Sequence, residues 1–149
     1  MAGYAIDFQR TGSTSASTGS VTADATRPRR GKLFDISFGS EAAAADNPFL
    51  WRVARITAAG TSTAVTPQPL DPADAATEMD AGENHTIEPT YTAGQIMGHF
   101  PLNQRATFRW VASPGKEIVF PATASNGLGI ISPTGSAVVV TVQSYVEEQ

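Results

Sequence analysis

Ser136-Ala137-Val138-Val139-Val140-Thr141-Val142-Gln143-Ser144-Tyr145-Val146 decides how this chain folds. Val138, Val140 and Val142 alternate with Val139, Thr141 and Gln143, a period of two that sends successive side chains to opposite faces of a strand. Val and Thr are stiff at χ1 and pack well on a pleated surface. The run therefore reads as the longest strand of the chain and as the centre of a sheet.

Working outward from it, residues 106–111, 117–120 and 128–131 are short β-rich runs. Ser113-Pro114-Gly115, Ser125-Asn126-Gly127 and Ser132-Pro133-Thr134-Gly135 punctuate them as turns between antiparallel strands. At the other end of the chain Tyr4, Ile6 and Phe8 alternate with Ala5, Asp7 and Gln9. Leu33, Phe34, Ile36 and Phe38 follow Lys32, with Asp35 and Ser37 assigned to the opposite face. Residues 49–57 place Phe49, Trp51, Val53 and Arg55 on one face and Leu50, Arg52, Ala54 and Ile56 on the other. Strands at short spacing, without long helices between them, point to an all-β antiparallel two-sheet sandwich of jelly-roll type with long loops.

Helix signals are thin: Glu41-Ala42-Ala43-Ala44-Ala45-Asp46 has helix propensity but is stopped by Asn47-Pro48 after about one marginal turn, and the better candidate, about two turns, is residues 71–78, with Asp71 as N-cap and Pro72 at the first helical position. Residues 11–30 are rich in Ser, Thr and Gly and read as an arm. The domain division is thus an N-terminal strand and basic arm over residues 1–31 and a β-sandwich over 32–149. Residues 58–90, with Pro67, Pro69, Pro72 and Pro89, read as a long surface excursion.

The chain has 149 residues, enough for one domain with a full core. Hydrophobic residues make up 41% and charged residues 16%, which excludes a highly charged disordered protein. No apolar run approaches the ~20 residues that cross a bilayer, so no membrane span is expected. The absence of Cys removes disulfides, thiolate metal clusters and Cys nucleophiles. The opening Met1-Ala2-Gly3-Tyr4-Ala5-Ile6-Asp7 lacks the pattern of a secretory signal, and release into the cytoplasm is the expectation. The formal net charge is −4, yet Arg27-Pro28-Arg29-Arg30-Gly31-Lys32 is locally basic.

His85 and His99 lie in no nucleophile elbow, so a non-enzymatic protein without cofactors is expected. Asp71, Asp74, Asp80, Glu83 and His85 are the residues with metal-ligating chemistry. Their spacing matches no calcium loop, and they read as a solvated acidic segment with no metal. Trp51 and Trp110 stand in alternating apolar runs and are expected to be core, not sugar platforms. Arg27, Arg29 and Arg30 are the expected partner-binding residues, complementary to an acidic protein surface in preference to nucleic acid, given a sequence pI of about 5.0.

Four further stretches carry a resemblance of whole-chain pattern: Phe38-Gly39-Ser40-Glu41 through Ala45-Asp46-Asn47-Pro48, Glu83-Asn84-His85-Thr86-Ile87-Glu88-Pro89-Thr90-Tyr91, Pro101-Leu102-Asn103-Gln104-Arg105-Ala106-Thr107-Phe108-Arg109-Trp110, and Pro121-Ala122-Thr123-Ala124-Ser125-Asn126-Gly127-Leu128-Gly129. Together they resemble small virion structural proteins of tailed bacteriophages, of the head decoration or cement type. The resemblance implies a protein on the capsid exterior that binds the major capsid protein, often as a homotrimer, and braces the shell. The arginine-rich segment departs from that pattern, so no contact is carried over to it. A carbohydrate-binding β-sandwich module is the alternative.

Overall fold

The structure, a computed structural model, describes residues 1–10, 16–132 and 138–149. Among them the chain forms β1 (Ala2–Arg10), β2 (Ser17–Ala23), β3 (Gly31–Ala42), β4 (Pro48–Ala58), β5 (Thr61–Val65), β6 (Gln68–Pro69), β7 (Met79–Ile87), β8 (Thr90–Asn103), β9 (Phe108–Val111), β10 (Ile118–Phe120), β11 (Gly127–Ile131) and β12 (Val139–Glu148). One sheet has the order β10-β3-β12-β1-β6, with β9 also paired to β3, and the other has the order β5-β7-β2-β11-β4-β8. Every ladder is antiparallel.

The valine-rich run is β12, held centrally between β3 and β1, and its alternation is kept: Val140, Val142 and Val146 are buried while Val139, Thr141 and Gln143 are half-buried. Its opening residues 136 and 137, and turn residues 133–135, lie outside the described residues. In β3 the alternation is broken by a bulge: Val146 pairs with Leu33 and Tyr145 with Asp35, leaving Phe34 as the extra residue. The parity shift buries Leu33 and Ile36, half-exposes Phe34, and leaves Asp35 buried. Arg109 of β9 meets that carboxylate with Nε, 2.9 Å from Oδ1, and with Nη2.

Between the sheets lies one apolar layer in which Tyr4, Ile6 and Phe8 of β1 join Val21, Val53, Leu128 and Ile130 of the other sheet. An aromatic chain ties the layers together: Phe38 lies 5.0 Å from Trp51 and 5.1 Å from Phe100, and Phe100 lies 5.5 Å from Phe108 (ring centroids). Trp51 is buried, but Trp110 on the short strand β9 is half-buried against the edge of the core. Acrylamide is therefore expected to quench Trp110, observed in Trp51→Phe, with a markedly steeper dependence than Trp51, observed in Trp110→Phe. Equal slopes would contradict this packing.

The N-terminal arm and the domain boundary at residue 31 are corrected. β1 is a full strand paired over its whole length with β12, and β2 is an interior strand whose seven residues are all buried. Only residues 11–15 of the expected arm lie outside the described residues. A Ser/Thr/Gly strand reads as a linker because it lacks large apolar residues. The reason for that composition is steric: a Cβ on Gly19 would lie 2.3 Å from Cγ of Phe8, so the ring of β1 occupies the space above β2.

Neither helix candidate forms a helix. β3 runs to Ala42, and residues 43–47 that follow are bends and irregular backbone. Asp71 Oδ1 accepts from Ala73 N and its carbonyl from Asp74 N, each at 2.9 Å, closing one turn that does not propagate. Within residues 58–90, β5 and β7 are paired strands that extend a sheet, and only the part around residues 70–78 is irregular surface.

Candidate functional site

At one end of the sandwich, strand ends of both sheets enclose an open cleft of about 730 Å³. Arg55 and Thr57 enter it from β4, Asn126 from the turn before β11, Gln95 from β8, and Arg30 from the segment that leads into β3. Arg55 occupies an inward position of β4, in step with Trp51 and Val53. There it escapes burial of its charge by extending out of the end of the core, where Nη1 donates to the carbonyl of Val119 in the opposite sheet at 2.5 Å. Arg30 is exposed and its carbonyl accepts the backbone N–H of Gln149 at 2.9 Å, which fixes the base of its side chain. No carboxylate lines this cleft among the described residues, and Arg30 and Arg55 are the two charged residues that do, in a chain of net charge −4.

The expected trio of arginines is split by the fold. Arg27 turns away to form an ion pair with Glu78 at 3.0 Å, on a surface where its side chain is 70% exposed. Asp24 holds the turn beneath it, accepting from Thr26 N at 2.7 Å and Arg27 N at 2.6 Å. Arg29 is exposed, and only Arg30 reaches the cleft. Arg55 was legible as an anomaly, a charge at an inward position of an alternating strand, but its partner Arg30 is 25 positions away and nothing local joins them.

The acidic set with His85 disperses. Among the described residues no three His, Asp or Glu side chains converge as metal ligands. Glu83 accepts from the backbone N–H of Gln9 at 2.6 Å, Asp80 lies across from Thr22, and Asp71 closes its own turn. His85 is buried, with Nε2 3.0 Å from Oγ of Ser20, itself buried in β2. Seclusion from solvent makes this a structural pair and not a nucleophile with its base. His99 lies in β8 across from Arg52.

Burial pushes the His85 imidazole below its ordinary range, opposed by the nearby Glu88 carboxylate and the backbone of Ser17 and Ala59. A folded value below the unfolded one means the unfolded chain binds the extra proton, so this contribution to stability is complete above the unfolded value of about 6.5 and is lost as pH falls below it. Melting temperature is expected to fall from pH ~7.5 to ~5, and His85→Gln to flatten that part of the profile. An unchanged profile in the variant would refute the assignment.

No family model matches the chain, and no curated protein or solved structure is significantly similar to it.

Proposed function

We propose that the chain is a non-enzymatic virion structural protein of the capsid decoration type, which seats on the outer surface of a phage head, contacts the major capsid protein and stabilises the shell. The observation that carries this reading is the paired Arg30 and Arg55 cleft at the strand ends, a local cationic site with no lining carboxylate among the described residues. Such a site suits an acidic protein surface, where charge complementarity sets orientation and rate of encounter. The strand order supports the finer reading of the sandwich as a jelly roll, since β1-β12-β3-β10 stacks on β2-β11-β4-β8, an architecture used by capsid proteins and lectins alike. A homotrimeric state, proposed with it, lets each assembly engage equivalent shell subunits and gain by multivalency. Made in the host cytoplasm, the protein would reside on the capsid exterior.

A groove lined chiefly by β1, β3 and β12 favours the carbohydrate-binding alternative. Asp7, Gln9, Glu41, Gln143 and Thr141 line about 580 Å³ with polar groups that could meet sugar hydroxyls. Part of that polar lining is already engaged, however: Thr141 and Gln9 both donate to Glu41 and hold it below the usual carboxylate range. A sugar would have to displace these bonds, so the shell reading is preferred.

Co-sedimentation with mature heads lacking decoration decides between them. Saturable binding that raises the heads' resistance to heat and low salt is expected. Retention on a glycan array, with no affinity for heads, would transfer the function to the groove.

A further inference from the structure

A second cleft, of about 610 Å³, lies along β8 and adjoins the first at Thr92, and its reading does not rest on shell binding. Its walls are largely small and apolar, with Ala54, Ile96 and Ile131 prominent among them, and Tyr91, Glu88 and Arg52 supply the polar groups. The floor is built for close approach. Gly129 pairs with Ala54, and a Cβ on it would lie 2.6 Å from Oη of Tyr91, so the tyrosine lies directly over the sheet.

The three polar groups differ in how far they are satisfied. Tyr91 Oη is 2.5 Å from Oγ of Ser17. Glu88 accepts from the backbone N–H of Ala16 at 2.6 Å and from the Ser17 hydroxyl, so both of its oxygens already have donors from β2 and the segment before it. Arg10 and His85 also lie in the field of that carboxylate. Arg52 is different. Among the described residues it forms no ion pair with Glu88 or any other acid, and its Nε is buried with no hydrogen-bond partner. Its cross-strand neighbours are Ile131 and His99, neither of which can neutralise it.

A guanidinium with no acidic partner matches a carboxylate through two parallel N–H bonds. We infer that this cleft is a binding site for a small monocarboxylate with a short hydrocarbon tail, the carboxylate pairing with Arg52 and the tail lying on Ala54, Ile96 and Ile131. The two terminal Nη groups, and not the buried Nε, meet the acid. The cleft lies within the size range of small-molecule sites and has their pattern of an apolar lining with few convergent polar groups.

Sodium hexanoate is the probe, titrated into the full-length protein and followed by amide ¹H–¹⁵N NMR. Saturable shifts centred on Ala54, Tyr91, Ile96 and Ile131 are expected, with 1-hexanol and hexylammonium binding at least about tenfold more weakly because neither offers an anionic acceptor to Arg52. Arg52→Gln should weaken hexanoate by a similar factor while leaving the remaining spectrum intact. No saturable shift, equal binding of hexanol, or preference for inorganic phosphate over hexanoate would overturn the assignment. The three-probe comparison on the parent protein tests it even if the variant misfolds.

Discussion

Phe8→Ala is expected to lower the free energy of unfolding by about 3–5 kcal/mol, among the largest effects available to one substitution in this chain. The ring is fully buried, sits on the inner face of β1 and fills the space that Gly19 leaves above β2. Removing it forfeits the transfer of an aromatic ring and leaves a cavity that stiff neighbouring strands close only in part. Set against a total stability of about 5–15 kcal/mol for a domain, the variant should unfold at much lower urea with an unchanged slope. Gly19→Ala supplies the internal check. In the parent its methyl collides with the ring, whereas in Phe8→Ala it enters the vacated space, so the double variant should be more stable than the sum of the two single effects. A near-zero effect of Phe8→Ala would mean that residues 1–10 hang outside the domain as an arm, contrary to the packing described above.

That experiment bears on the part of the fold that sequence reasoning misread. Strands with large residues at alternate positions, such as Tyr4-Ile6-Phe8 and Val140-Val142, were legible because burial of one face writes itself into composition. β2 was not, since Ser17-Thr18-Gly19-Ser20-Val21-Thr22-Ala23 is buried beneath side chains donated by other strands and needs to be small. β8, the longest strand at 14 residues, was hidden by Gly94, Gly98 and Pro101. Pro101 is tolerated there because β8 is the outermost strand of its sheet, where a missing donor can face away from the ladder. The candidate site was legible only in fragments. Arg30 stood out in a basic run, but the cleft depends on Arg55 and on Val119 across the sandwich, a convergence that exists only once the two sheets are stacked.

The split among the arginines makes the shell-binding proposal sharp enough to fail. If the cleft receives an acidic group of the capsid, Arg30→Ala should weaken head binding by about 10- to 100-fold, the loss expected for a hydrogen bond to a charged group. Arg27→Ala should change it little, because Arg27 is already paired with Glu78 and lies on an exposed surface where such pairs contribute about 0–1 kcal/mol. Arg55→Gln keeps a donor for the Val119 carbonyl while removing the charge, so it should resemble Arg30→Ala in binding and the parent in melting temperature. Salt provides an independent reading. Binding by the parent should weaken as ionic strength rises above about 0.15 M, where the screening length falls below ~8 Å, and the dependence should be shallower in Arg30→Ala because one of the charges that salt screens is gone. Equal losses from Arg27, Arg29 and Arg30 would point instead to a diffuse basic surface, and unchanged binding in both Arg30→Ala and Arg55→Gln would remove the cleft from the interface altogether.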